Sequence, residues 1–186
     1  MITNVIKTIW IIAVILICIS FCNKGYGADD FYGIRIFAGE QMKNAPVAHV
    51  SERYDWEEFQ VKPLYGKHMD DQWDLWIEGL IGLVNYNEGQ SIKLGTLIMT
   101  SYDVVKVGET KVYTEVGVGV GWCNYSPSTN TLRPNLLGFI DAGAGIKYPI
   151  KKGWLAKIGL RFHHTSSMFG HDTGINTYGL EFSLVK

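Results

Sequence analysis

The sequence of 186 residues is poor in proline and cysteine and carries almost no net charge. Its formal net charge of −1 excludes a strongly basic nucleic-acid binder, and its 47% apolar content excludes a disordered tail protein. Only 5 prolines stand against 21 glycines and an aromatic fraction of 13%. This mixture favours many strands with close backbone approaches over a bundle of helices, and the length suits a single domain.

The amino terminus is too short in apolar residues for a membrane-spanning helix. Its apolar run covers residues 9–22, which is below the roughly 18 to 20 residues that a spanning helix needs. The run follows Lys7 and precedes two small residues, Gly25 and Gly27. This order is typical of a secretory signal peptide, so we predict a signal peptide at residues 1–27 and a mature domain at residues 28–186.

The predicted mature chain contains a single cysteine. Of the 3 cysteines, Cys18 and Cys22 lie in the predicted signal peptide, and only Cys123 remains. An exported domain with one cysteine has no internal disulfide and must be stabilised in another way.

The mature chain shows no sustained apolar face at helical spacing, but it shows a clear two-residue alternation. In residues 111–122, Val116 and Val118 share one face, whereas Gly117 and Gly119 share the other. The pattern predicts an all-β domain with strands at residues 31–40, 48–56, 72–86, 93–104, 111–122, 137–148, 154–166 and 176–184. The connection over residues 57–71 is long for a barrel turn.

Eight alternating strands in an exported chain fit either a soluble barrel or a membrane barrel, and the residues of the non-apolar face distinguish the two. That face is made of glycines and of charges roughly balanced in sign. A narrow barrel has room inside for side chains and little else, so these residues indicate an ion-paired interior and an apolar exterior that faces lipid. The predicted interior charges are Arg35, Glu78, Glu115, Asp141, Lys147, Lys157, Arg161 and Glu181.

A membrane barrel with an even number of strands has both termini on the periplasmic side, so its seventh strand runs outward. That strand would end near His164 and Ser166 at the outer-leaflet side, where lipopolysaccharide lies. The two residues are two positions apart, and by parity they share the lipid-facing side with Leu160 and Phe162. Two polar residues of reactive type therefore lie where lipid contact calls for apolar residues, although polar groups near the membrane interface can also serve only to reach the headgroups.

These residues resemble the outer-membrane lipid A 3-O-deacylase (PagL) family. The family has His-x-Ser-Asn on the penultimate strand and Gly-Ile-Glu at the start of the last strand. Residues 164–167, His-Thr-Ser-Ser, match the first motif in His164 and Ser166, and residues 174–176, Gly-Ile-Asn, match the second with Asn176 in place of Glu. Residues 54–56, 114–120 and 139–147 resemble its second, fifth and sixth strands.

The resemblance implies an eight-stranded outer-membrane barrel of a Gram-negative bacterium. It also implies an esterase that releases the 3-hydroxyacyl chain from position 3 of lipid A in lipopolysaccharide, with no metal and no other cofactor. Ser166 would be the nucleophile, His164 the general base, and Asn176 would occupy the position of the orienting Glu. The resemblance suggests a homodimer as well.

The departure at Asn176 predicts a weakened site, because an amide can orient a histidine but does not stabilise an imidazolium. Two other carboxylates are near in sequence. Glu181 lies on the opposite, interior face by parity, with Arg161 as its expected partner, whereas Asp172 lies in the loop and stays open. We expect either a slow esterase or a barrel that has lost the reaction.

Two non-enzymatic interpretations compete with the esterase. One is a small outer-membrane barrel with a structural or binding role, whose loops would contact a partner. The other is a secreted soluble barrel that holds a ligand inside. A mature protein that stays folded in buffer without detergent would support the soluble form.

Overall fold

Within the residues that the structure describes, eight antiparallel strands follow one another around a closed barrel, and the last pairs with the first. This structure is a computed structural model, and it describes residues 30–42, 56–86, 89–124, 135–151, 153–168 and 174–186. The strands are β1 Asp30–Gln41, β2 Glu57–His68, β3 Trp73–Tyr86, β4 Gly89–Val107, β5 Thr110–Cys123, β6 Asn135–Pro149, β7 Leu155–Ser167 and β8 Ile175–Val185. The predicted signal peptide lies outside the described residues. The part of the chain that the structure describes contains no helix long and apolar enough to cross a membrane.

The outer surface of the barrel is apolar and the inside is charged. On β5, Val116, Val118 and Val120 are 50%, 60% and 47% exposed, and other strands present Leu160 and Leu180 in the same way. All eight charged residues that the sequence placed inside are buried. The predicted membrane-barrel pattern is thereby confirmed, because an apolar exterior around a polar interior requires lipid outside.

The interior glycines make room for large side chains of the neighbouring strand. Gly117 pairs with Met99 and Gly119 with Leu97 across the β4–β5 ladder. A Cβ atom on Gly119 would lie 2.7 Å from Leu97 Cγ, and one on Gly117 would lie against the Met99 sulfur. The glycines therefore set how closely the interior packs, as expected from their predicted face.

Two arginines and four carboxylates form a buried ion-pair network in the interior, and its fourth carboxylate, Glu78, pairs with Arg35. Arg161 Nη1 lies 2.5 Å from Asp141 Oδ2, and the same guanidinium pairs with Glu115 and Glu181. Arg35 shares two of these partners, since its Nη2 lies 3.0 Å from Glu115 and its Nε lies 3.0 Å from Glu181. Each carboxylate is stabilised by a cation, so the buried charges depend on one another.

Replacing Arg161 with methionine is expected to lower the free energy of unfolding by about 3–5 kcal/mol, because Asp141, Glu115 and Glu181 would stay buried without their shared cation. Urea unfolding of the barrel in detergent micelles measures the loss. The matched control is Lys67→Ala, which removes an exposed ion pair with Asp30 and should cost about 0–1 kcal/mol. Equal losses in the two variants would contradict the interdependence of the buried charges.

The second strand differs from the prediction. The structure forms β2 at Glu57–His68, where the sequence indicated a connection, and residues 48–55 of the predicted strand lie outside the described residues. Two features of the sequence explain why the pattern of alternating residues did not indicate this strand. Its inner face carries Glu58, Gln60 and Lys62, which are all buried, and Pro63 interrupts its pairing with β3 because proline has no N–H.

The two ends of the barrel differ in the length of their connections. The end that holds Asp30 and Lys186 has short turns at residues 69–72, 108–109 and 150–154. The opposite end has the longer connections at residues 42–56, 124–134 and 168–174, besides a short one at 87–88. Outer-membrane barrels have short periplasmic turns and longer external loops, so Asp30 and Lys186 lie at the periplasmic end and β7 runs outward.

Candidate active site

The outer face of β7 carries the two candidate reactive residues at its external end. Arg161, His163 and Thr165 are buried inside the barrel, whereas His164 and Ser166 alternate with them on the lipid-facing side. This alternation confirms the parity on which the sequence prediction was based. The structure therefore presents an imidazole and a hydroxyl to the outer leaflet rather than to the barrel interior.

His164 is held by the neighbouring strand. Its register partner on β8 is Asn176, and His164 Nδ1 lies 2.6 Å from Asn176 Oδ1. An amide oxygen only accepts hydrogen bonds, so Nδ1 carries the proton and donates it. Nε2 then keeps its lone pair, which is the form of histidine that acts as a general base.

Asn176 is fully buried although its parity places it on the outer face. Its backbone oxygen accepts a hydrogen bond from Met42 N at 2.9 Å, which fixes the start of β8 against the chain end of β1. Its Nδ2 is buried without a hydrogen-bond partner among the described residues. The side chain therefore contacts His164 through its oxygen alone.

Ser166 lies two residues beyond His164 on the same face. Because a strand rises about 3.3 Å per residue, the two Cα atoms are about 6.6 Å apart, a separation that the two side chains can bridge. Across the β6–β7 ladder Ser166 faces Gly138, and a Cβ on that glycine would lie 3.6 Å from Ser166 Oγ. Gly138 therefore places no side chain of its own beside the hydroxyl.

Gly174 packs directly against the imidazole of His164. A Cβ atom there would lie 2.8 Å from His164 Nε2 and closer still to Cε1. In the sequence, Gly174 belongs to the Gly-Ile-Asn motif of residues 174–176, and no role was predicted for it. The structure shows why the position is a glycine: any side chain would push the histidine out of place.

Glu181 is excluded as a partner of His164 because it lies on the inner side of the barrel. Glu181 pairs with Arg161 in the interior, as the sequence predicted, and also with Arg35, and the sheet separates it from His164. Asp172 lies outside the described residues. Asn176 is thus the side chain that the structure brings to His164.

His163 and His164 are adjacent but belong to separate environments. His163 is fully buried between Asp141 and Lys93, and its Nε2 lies 2.9 Å from Lys93 Nζ. It is an interior histidine. Across the described ranges, no three His, Cys, Asp or Glu side chains are grouped as metal ligands.

A comparison with protein families matches residues 53–185 to the model described as "Lipid A 3-O-deacylase (PagL)". The match covers most of the chain and includes His164, Ser166 and Asn176. The chain belongs to the lipid A 3-O-deacylase (PagL) family. No curated protein matches the chain in a sequence search.

Solved structures share the PagL-family fold at low sequence identity. Neisserial surface protein A aligns with a TM-score of 0.58 and 9% identity, over 87% of this chain and 98% of that chain. The outer membrane enzyme PagL aligns with a TM-score of 0.54 and 15% identity, over 81% of this chain and 97% of that chain. Both likenesses support the closed-barrel fold, and membership of the PagL family supports the outer membrane of a Gram-negative bacterium as its location.

Proposed function

We propose that this PagL-family barrel is an esterase that removes the 3-O-linked 3-hydroxyacyl chain from lipid A of lipopolysaccharide. The observation that carries the proposal is the His164–Asn176 hydrogen bond beside Ser166 on the lipid-facing side of β7. Lipid A lies in the leaflet that this side of the barrel contacts, so its ester reaches Ser166 without leaving the membrane. The homodimer suggested by the family resemblance stays a prediction.

The reaction follows from the order of donors and acceptors at the site. His164 Nε2 takes the hydroxyl proton of Ser166 while Oγ bonds to the ester carbonyl carbon. The carbon–oxygen bond to the sugar then breaks, and the sugar oxygen receives the proton from His164. Water attacks the acyl-serine with the same histidine as base, which releases the 3-hydroxy fatty acid and restores Ser166.

Asn176 is the reason to expect a low rate of ester hydrolysis. Its Oδ1 selects the tautomer of His164 and fixes the ring, which are two of the tasks of the third member of a triad. It does not supply the third, because a neutral amide does not stabilise the imidazolium that forms when Ser166 loses its proton. We therefore expect a slow esterase.

The proposal is tested by incubating purified lipid A with the barrel in detergent micelles and measuring released 3-hydroxy fatty acid. The comparison is between the wild type and a variant that carries both His164→Ala and Ser166→Ala, with equal amounts of folded barrel in each sample. We expect release by the wild type and none above background by the double variant. Equal release from both samples would show that this barrel is not a Ser/His esterase.

A non-enzymatic outer-membrane barrel is the second candidate, and Asn176 is the observation that favours it. The family's Glu is absent, and the similarity to Neisserial surface protein A shows that the same architecture occurs in a protein described by its surface location. In this case the wild type would leave lipid A intact, and the external loops would carry a structural or binding role.

A further inference from the structure

The outer face of the barrel carries a shallow groove on the side of β8 that is away from Ser166. Its volume is about 470 Å³, and residues of β1, β2, β3 and β8 line it. Ala38 on β1 is its floor, because Ala38 pairs with Phe59 on one side and with Leu180 on the other and is smaller than either. Phe59 and Leu180 are 46% and 63% exposed, so this half of the groove is apolar and faces lipid.

The external half of the same groove is polar. Glu40 lies one outward position beyond Ala38 on β1 and is directly opposite Glu57 on β2, and both side chains are exposed on the outer face. Asn85 pairs with Glu57 across β2–β3, and the Tyr178 hydroxyl on β8 donates to Glu40 Oε1 at 2.5 Å. The groove is therefore amphipathic, and its acidic end lies where β1 ends and β2 begins, at the headgroups of the outer leaflet.

The two carboxylates require a positive charge from outside the described part of the chain. Like charges directly opposite each other on antiparallel strands are destabilising. Tyr178 gives Glu40 only a neutral hydrogen bond, and neither Glu40 nor Glu57 has an ion-pair partner among the residues that the structure describes. Glu58, the next residue of β2, instead points inward and pairs with Lys93. Charge complementarity therefore calls for a cationic occupant on the outer face.

The apolar half of the groove identifies this occupant as a lipid. A metal ion would use the acidic end alone, and the described ranges contain no group of three side chains suited to hold one. A lipid uses both halves, because its chains cover Ala38, Phe59 and Leu180 while its headgroup reaches the carboxylates. A primary ammonium has three N–H donors for two carboxylates, whereas a quaternary ammonium has none. The size of the groove suits a small headgroup better than a phosphorylated disaccharide.

We propose that this amphipathic groove is a binding site for a phospholipid with a primary-amine headgroup, of the phosphatidylethanolamine type. The ammonium lies between Glu40 and Glu57, and the Asn85 amide donates to the phosphate oxygens beside it. The acyl chains run over Ala38 toward the centre of the membrane. The site is independent of the proposed esterase, since no residue of the groove belongs to the candidate active site.

Native mass spectrometry of the full barrel, released from detergent micelles, counts the phospholipids that stay bound. The micelles contain equal amounts of phosphatidylethanolamine, phosphatidylcholine and phosphatidylglycerol with the same acyl chains, with EDTA or with added Ca²⁺. We expect the wild type to retain phosphatidylethanolamine about tenfold more than either other lipid, in EDTA as well as in Ca²⁺, because only this headgroup donates charged hydrogen bonds to the carboxylates.

Two changes remove the two halves of the groove separately. The double variant Glu40→Gln with Glu57→Gln keeps the shape of both side chains and is expected to lose the preference for phosphatidylethanolamine. Ala38→Leu keeps the charges but fills the floor, so it should lower retention of this lipid severalfold. The matched controls are Glu109→Gln, an exposed carboxylate in the turn at the opposite end, and Ala144→Leu on the outer face of β6, and both should bind as the wild type does.

The faster electrophoretic migration of the unheated barrel verifies that each variant is folded. Equal retention of the three lipids by the wild type, or a preference that survives in the double glutamine variant, would overturn the lipid site. Retention of phosphatidylglycerol that rises with Ca²⁺ and disappears in EDTA would overturn it as well, because the carboxylates would then hold a divalent cation. None of these results depends on whether the barrel hydrolyses lipid A.

Discussion

Replacing Asn176 with glutamate is expected to accelerate deacylation of lipid A strongly. The carboxylate would accept from His164 Nδ1, as Asn176 Oδ1 does now, and would add the negative charge that stabilises the imidazolium. The reverse change, Asp to Asn in a serine-protease triad, lowers kcat by ~10⁴, which bounds the gain. The initial rate of 3-hydroxy fatty acid release per folded barrel measures it.

Two further variants at the same position separate charge from size. Asn176→Asp keeps the present side-chain length, and its carboxylate lacks the Nδ2 donor that is buried without a partner among the residues described here. Asn176→Gln has the length of glutamate without its charge. We expect acceleration with Asp and Glu and none with Gln. A Gln variant as fast as the Glu variant would show that charge is not what the site lacks.

Replacing Gly174 with alanine is expected to lower kcat by about 10²-fold, because the added methyl group would lie 2.8 Å from His164 Nε2 and would displace the ring. The φ angle of Gly174 is not in the left-handed region, so alanine is compatible with the backbone and only the contact with His164 changes. Steady-state hydrolysis of lipid A in micelles gives kcat and KM. Substrate affinity should change less than kcat.

The matched control for this variant is Gly82→Ala in the interior. A Cβ at Gly82 would meet Gln60 and Lys93 at ordinary contact distances of 3.5 Å, so fold and rate should both be kept. A Gly174→Ala variant that is folded and as active as the wild type would contradict the assignment of His164 as the base.

The strands with glycine or charge on one face and aliphatic residues on the other were predictable, because the two-residue period assigns each residue to one face. Residues 111–122 were predicted and β5 is Thr110–Cys123. The second strand was missed since Glu58, Gln60 and Lys62 conceal its inner face. The ion pairs that make those residues suitable for the interior involve distant strands, as Lys93 with Glu58 does.

Within the candidate site, parity alone placed His164 and Ser166 together and moved Glu181 to the interior. The motif pointed to Asn176, and the β7–β8 register then brought its amide to the imidazole. The pairing of Gly138 with Ser166 could not be predicted from the sequence, because the two residues are distant in the chain and adjacent only through the β6–β7 register.

The sequence by itself determined the class of barrel and the face of every clear strand, because alternation is a local property that a strand cannot alter without turning all its side chains over. Only the tertiary structure decided which residues are neighbours across adjacent strands. Strand register is set by the packing of the whole closed sheet, so the pairing of His164 with Asn176, the contact of Gly174 with the imidazole and the pairing of Gly138 with Ser166 emerge only when the barrel closes.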